Sequence, residues 1–298
     1  MKINLIGVPL FYGCDRRGVE FGPDILRENG INNLAKKYGH TLYDLGNLYV
    51  PKVEEKDKYS SHKKMKYLNA ITEVNRNLAN QVYNSLNSGS FPFVIGGDHS
   101  LGLGSISGAS EYLNDIAVIW VDAHGDINTD ETSPSGNVHG MPLSAAMGIG
   151  DDTLTELYYK GRKVNPENVY IIGARDLDKG EVDIINEFNL NVWSTEDVKK
   201  KGVENVIVEL IDKLTKSSIK NIHLSFDIDS LDSELVPGTG TPVSEGLNLE
   251  EVKYILTSII KTKNVKSMDF VELNPKIDKE DQTLNIALDV LDMVFSLL

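Results

Sequence analysis

A chain of 298 residues with 41% hydrophobic content can bury a sizeable core, as one large α/β domain or two small ones. Its formal net charge of −14 excludes the basic surface that nucleic acid or an anionic membrane requires of a partner. Cys14 is the only cysteine, which rules out an intrachain disulfide, and no apolar run approaches the roughly 20 residues of a membrane span.

In chain order, Ile3–Val8 reads as a first buried strand. Met1–Leu10 shows no secretory leader pattern, so a cytoplasmic location is expected. Gly22-Pro23-Asp24-Ile25-Leu26-Arg27 reads as a helix start, since proline is tolerated in a first turn. The charged stretch Lys52–Lys66 reads as an exposed connection within one domain. Leu68, Ile71, Val74, Leu78, Val82 and Leu86 recur at three- and four-residue spacing, which predicts an amphipathic helix closed by Ser88-Gly89. Further strands are predicted at Phe93–Ile95, Ala117–Val121, Val169–Ile172, Ile222–Phe226 and Lys266–Phe270. Helices are predicted over Val203–Lys216, Leu249–Lys261 and from Thr283 onward. Short β-branched runs alternating with helical stretches indicate a parallel sheet with helices on both faces. No internal repeat appears, and the expectation is a single domain over residues 1–298.

Three of these strands end in chemistry-bearing residues. Phe93–Ile95 runs into Gly96-Gly97-Asp98-His99, Ala117–Val121 into Asp122-Ala123-His124-Gly125-Asp126, and Ile222–Phe226 into Asp227-Ile228-Asp229. Read as extended backbone, residues two apart share a side, so each strand end presents its side chains together. Buried carboxylates repel unless protons or cations intervene. His99, Asp122, His124, Asp126, Asp227 and Asp229 are therefore expected to form one site for two divalent cations. Oxygen-rich donors with some imidazole favour a hard ion such as Mn²⁺. Two such cations can share a hydroxide that is nucleophilic near neutral pH. The Ser-, Asn- and Gly-rich stretch Asn128–Gly140 and the stretch Asp232–Gly246 follow two of these strands as loops, where open α/β sheets bind ligands.

The segments Gly96-Gly97-Asp98-His99-Ser100, Asp122-Ala123-His124-Gly125-Asp126 and Ser225-Phe226-Asp227-Ile228-Asp229 with Pro237-Gly238-Thr239-Gly240-Thr241-Pro242 resemble the three signatures of the ureohydrolases. That family includes arginase, agmatinase and formimidoylglutamase. The resemblance runs from Arg17-Gly18-Val19-Glu20-Phe21-Gly22-Pro23 to Val271-Glu272-Leu273-Asn274-Pro275, and the loop Asn128–Pro142 is similar to the arginase branch. It implies an eight-stranded parallel sheet, two Mn²⁺ per subunit, a homo-oligomer (trimer or hexamer), and hydrolysis of L-arginine to L-ornithine and urea. It also implies that the six residues above are the metal ligands, with Asp126 catalytic as well. His139 then corresponds to a proton-shuttling histidine and Glu272 to the carboxylate that holds the guanidinium. Asn128, Ser135 and Asn137 correspond to groups on the α-carboxylate, Asp178 to one on the α-amino side, and Thr241 to the cleft wall. Ser233 and Ser244-Glu245-Gly246 depart from the family pattern near the rim. The competing readings are an agmatinase or other guanidino-acid amidinohydrolase, and a metal-binding regulator without turnover.

Overall fold

The computed structural model describes residues 1–298. Eight strands form one sheet: β1 (Lys2–Val8), β2 (Thr41–Asn47), β3 (Phe91–Gly96), β4 (Ala117–Val121), β5 (Val169–Ala174), β6 (Asn191–Ser194), β7 (Ile222–Asp227) and β8 (Val265–Val271). Their order is β2-β1-β3-β8-β7-β4-β5-β6, and every neighbouring pair is parallel. The six strands expected from apolar runs are all present. The two that sequence reasoning missed, β2 and β6, are the two edges of the sheet. An edge strand buries less, so β2 carries mostly exposed residues and β6 spans only four.

Eleven helices cover the sheet: α1 (Gly22–Glu28), α2 (Ile31–Lys37), α3 (Leu68–Asn87), α4 (Gly102–Leu113), α5 (Pro142–Ala146), α6 (Asp152–Thr155), α7 (Lys179–Phe188), α8 (Thr195–Lys201), α9 (Val203–Ser217), α10 (Leu249–Lys261) and α11 (Gln282–Leu297). Alternate strand residues feed two cores. Ala117, Ile119 and Val121 join α9, α10 and α11 in a cluster of 42 buried hydrophobic residues. Val118 and Trp120 join α3, α4 and α5 in one of 37. The near-equal sizes explain why the interior strands read as continuous apolar runs: both faces are covered.

Helix α4 escaped the sequence reading because Gly and Ser weaken its helical pattern. Its glycines are there for close approach. A Cβ at Gly104 would lie 2.6 Å from the Asn75 carbonyl oxygen of α3, and one at Gly108 would strike the Ala79 backbone. The connection 52–66 is mostly exposed as expected, with a correction at its end. Met65 is fully buried there, and Lys58 and Lys66 turn inward onto Asp15.

Topology sets the position of the site. The chain leaves β3, crosses to β4, and only later inserts β8 and β7 between them. The C-terminal ends of these four adjacent strands bound a crevice at the point where open α/β sheets bind ligands.

Candidate metal centre and substrate cleft

Each of those four strands delivers functional side chains to one place. His99 follows β3, Asp122 follows β4, Asp227 ends β7, and Glu272 follows β8. His99 Nδ1 lies 2.8 Å from Asp122 Oδ2 and 3.2 Å from both Asp126 Oδ2 and Asp227 Oδ2. His124 Nδ1 lies 3.2 Å from Asp122 Oδ1 and 3.3 Å from Asp229 Oδ2. The result is two overlapping triads, His99/Asp122/Asp227 and Asp122/His124/Asp229, each with its ligand atoms within 4.8 Å of one another. Asp122 belongs to both, one oxygen directed to each imidazole, and Asp126 joins through His99. All six expected ligands are thus brought together.

The local reason differs from the extended-strand expectation. Asp126 adopts a left-handed backbone with φ +53°, and Asp229 sits in the 3₁₀ turn Ile228–Ser230. Both convergences arise in turns just beyond the strands. The turns are held by the ligands themselves: the His124 N–H donates to Asp122 Oδ1 at 2.7 Å and the Asp229 N–H to Asp227 Oδ1 at 2.8 Å.

The electrostatics fit divalent cations. Burial alone would lower the His99 and His124 pKa values, but the carboxylates around them raise both well above the ordinary imidazole range. Burial, together with Asp229 and Asp122, pushes the Asp227 carboxyl well up. Protons must therefore gather where four carboxylates meet. Two cations coordinated by oxygen and imidazole would relieve the same charge without them.

A layer behind the ligands was not read from the sequence. Trp120 stacks on His99 at 3.8 Å between ring centroids with a 7° interplanar angle, and its Nε1–H donates to Asp122 Oδ2 at 2.9 Å. Ser225 Oγ lies 2.8 Å from His99 Nε2 and 3.3 Å from Asp269 Oδ2, and His223 Nε2 lies 3.0 Å from the same Asp269 oxygen. Strand register puts Trp120 beside Ser225 and Ser225 beside Asp269, so one polar row crosses three strands. Such partners orient the ring of a ligating histidine. A signal for two of them was available: Trp120 and Ser225 each precede a ligand by two residues and so share its side.

Above the ligands lies a cavity of about 270 Å³ lined by twelve residues, none of them hydrophobic. His124, Asp126, Asn128, Ser135, Asn137, His139, Asp178 and Thr241 line it as expected, joined by Ser133, Gly140, Asp176 and Glu181, which were not predicted. Asn128 Nδ2 donates to Asp178 Oδ2 at 2.8 Å, and Thr241 Oγ1 donates to Asp229 Oδ2 at 3.1 Å. Asp178 caps α7 in a reciprocal box with Glu181, whose Oε1 also accepts from the Ile127 N–H. Burial raises Glu181 to about 7.

Glu272 is not part of that lining. It is buried, its Oε1 accepts from the His99 N–H at 2.9 Å and lies 3.6 Å from His139 Nδ1, and its Oε2 has no partner. Its own backbone takes φ +67°, tethered by the Glu272 N–H to the Gly97 carbonyl at 2.9 Å. An unpaired buried carboxylate oxygen is costly, and burial accordingly raises the Glu272 carboxyl above its ordinary range, so a proton or a cationic ligand would relieve it. Burial lowers the His139 pKa, but Glu272 and Asp126 more than offset it and raise the ring above its ordinary range.

The two departures from the family pattern lie outside this cavity. The Ser233 N–H donates to the Val243 carbonyl, while Glu245 takes φ +62° and offers its carbonyl to Lys199. Arg175 ties this region together by donating to the carbonyls of Asp229, Leu231 and Val243. A separate group, His62, Asp130 and Asp151, also gathers within 4.8 Å. His62 Nδ1 already accepts the N–H groups of Lys64 and Met65, so in a neutral ring Nε2 carries the proton and has no lone pair for a cation.

A buried ligand cluster at the carboxyl edge of a parallel sheet, opening into a polar cleft, defines a metal-dependent α/β enzyme. The arginase family model matches residues 1–296. The arginase of Brevibacillus brevis is 40% identical over 294 residues, covering 99% of this chain and 97% of that protein. The crystal structure of arginase from Bacillus cereus superposes with a TM-score of 0.92 at 37% identity, covering 99% of this chain and 98% of that one. The Entamoeba histolytica arginase, solved in complex with L-ornithine, gives a TM-score of 0.91 at 36% identity over 99% and 97% of the two chains. The chain belongs to the arginase family, and it is a hydrolase.

Proposed function

We propose that this chain hydrolyses L-arginine to L-ornithine and urea in the cytoplasm, as a homo-oligomer (trimer or hexamer) of one 298-residue domain. In this reading His99, Asp122, His124, Asp126, Asp227 and Asp229 hold two Mn²⁺ per subunit. The observation that carries it is the pair of overlapping carboxylate–imidazole triads beneath a wholly polar cavity. The lone cysteine fits a reducing compartment, and no helix is long and apolar enough to cross a membrane. Bound cations supply an acidified water and balance the buried negative charge.

The protein's own groups do the rest. A guanidinium carbon is a poor electrophile, so it must be held in place for attack. The unpaired oxygen of Glu272 is the natural partner for the guanidinium, through a charge-assisted contact. The Asp126 carboxylate faces the cavity and can pass a proton to the departing nitrogen. His139, which touches both the cavity and Glu272, can exchange that proton with bulk water.

Substrate selection falls to the other lining residues. Asn128, Ser135 and Asn137 offer neutral donors to an α-carboxylate, Asp178 offers a carboxylate to the α-ammonium, and Thr241 lines the same cleft. A substrate lacking the carboxylate leaves those donors unmatched, which polar sites penalise strongly. The Entamoeba histolytica relative was solved with L-ornithine, the amino-acid product this reading assigns.

The test is urea release by the purified protein with added Mn²⁺, using L-arginine, agmatine and guanidinobutyrate. Activity that is highest on L-arginine, vanishes on chelation and returns with Mn²⁺ is expected. Faster turnover of agmatine would overturn the substrate assignment, and no turnover of any guanidino compound despite bound metal would overturn the enzyme.

A further inference from the structure

Behind the cleft lies a cation that does not line it. Lys66 sits behind the loop that carries Asn137, its ammonium donating to Asn137 Oδ1 at 2.8 Å and pairing with Asp15 Oδ2 at 2.9 Å. Lys58 shares that carboxylate oxygen at 3.4 Å. Burial pushes the Asp15 carboxyl up, but Lys66 and Lys58 more than offset it and hold it below its ordinary range. On the other side of the amide, Asn137 Nδ2 donates to the Cys14 carbonyl at 3.1 Å.

The two partners leave one orientation for the carboxamide. An ammonium can only donate and a carbonyl can only accept, so the amide oxygen faces Lys66 and the amide nitrogen faces Cys14. One N–H of Asn137 remains for a ligand in the cavity, which Asn137 lines. Lys66 holds the same stretch a second way: its backbone N–H donates to the Gly136 carbonyl at 3.0 Å. Gly136 itself takes φ +71°, and a Cβ there would strike the Lys64 carbonyl. Loop and lysine are therefore docked backbone to backbone as well as through the side chain.

We propose that Lys66 is a specificity-setting positioning residue: held by Asp15, it locks the Asn137 carboxamide so that an N–H, never the carbonyl oxygen, meets the substrate's carboxylate. Without the ammonium only the Cys14 carbonyl still selects that orientation, so the turned amide is populated more, and a carbonyl facing a carboxylate repels it. Agmatine and putrescine carry no carboxylate and are indifferent to this orientation. The inference rests on the reading that Asn137 receives the α-carboxylate.

Lys66→Met keeps the apolar stem and removes the charge. In the Mn²⁺-loaded enzyme it is expected to raise KM for L-arginine about 10-fold with kcat within about 2-fold, the scale of one hydrogen bond to a charged group. L-ornithine affinity, measured by calorimetry, falls by the same factor, while the affinity for putrescine is unchanged. Lys66→Arg, which also only donates, restores both, and Asp15→Asn shows a smaller effect in the same direction. Equal losses for ornithine and putrescine, or no loss for either, would overturn the proposal by showing a merely structural lysine or none at all. Asn137→Ala separates the two levels. If it leaves ornithine affinity intact, the carboxylate reading fails and the proposal falls with it. If it weakens ornithine binding and Lys66→Met does not, only the Lys66 inference fails.

Discussion

Glu181→Gln is expected to reverse its effect on stability between pH 5 and pH 8 in the metal-free protein. Glu181 is 4% exposed and accepts from the Asp178 N–H at 2.9 Å and the Ile127 N–H at 3.2 Å. Burial first, aided by the Asp126 charge, raises its carboxyl from the ordinary 4.5 to about 7. Between those values the folded chain binds a proton that the unfolded chain has released. Its stabilising contribution is complete below about pH 4.5 and is lost as pH rises through about 7, a swing of roughly 3 kcal/mol. Glutamine has no such swing. Its amide nitrogen instead faces one of the two backbone donors, a fixed cost of roughly 1–2 kcal/mol. Glu181→Gln should then be less stable than the parent near pH 5 and more stable near pH 8, by roughly 1–2 kcal/mol each way. At about 2 °C per kcal/mol for a chain of this size, melting temperatures differ by roughly 2–4 °C with opposite sign. Thermal unfolding in chelator at a fixed scan rate reads this directly. A difference that stays constant across pH would refute the burial argument.

Three further outcomes bear on the metal centre. Because the His99 and His124 pKa values are raised well above the imidazole range, cation uptake at pH 7 must expel protons. Titration calorimetry in two buffers of different ionisation enthalpy should show more than one proton released per chain, and affinity should rise with pH; heats independent of buffer would contradict this. Trp120→Phe keeps the stack on His99 but removes the N–H to Asp122, so Mn²⁺ affinity should fall about 10-fold in a folded protein. Unchanged affinity would show that the indole only packs. Asp126→Asn suits the left-handed backbone at that position and should fold normally, yet lose turnover by about 10²-fold or more, with His139→Asn less severe. Near-normal urea release from Asp126→Asn would end its assigned role as proton carrier.

How much of this was legible in the sequence follows from burial. The interior strands announced themselves because both faces are covered, whereas β2 and β6 bury too little as sheet edges to show a pattern. Helix α4 stayed hidden because the Gly104 and Gly108 contacts that seat it on α3 use residues that weaken a helical signal. The six residues expected as ligands do converge, but for a reason that was only half right. The strands aim them, and the turns at Asp126 and Asp229 close the cluster. Trp120 and Ser225 were within reach of the two-residue rule, applied one step back along each strand. Lys66 was not, because it sits in a charged connection 71 residues from the amide it holds, and nothing local marks that pairing. Asp269 was hidden in the same way, as a single acid inside a strand, with a role that depends on register with β7.

Crystals grown with Mn²⁺ and measured at the manganese absorption edge probe the central claim most directly. Two anomalous peaks are expected, one in contact with His99 and the other with His124, with Asp122 reaching both. A single peak, or manganese held anywhere other than by those six side chains, would contradict the account.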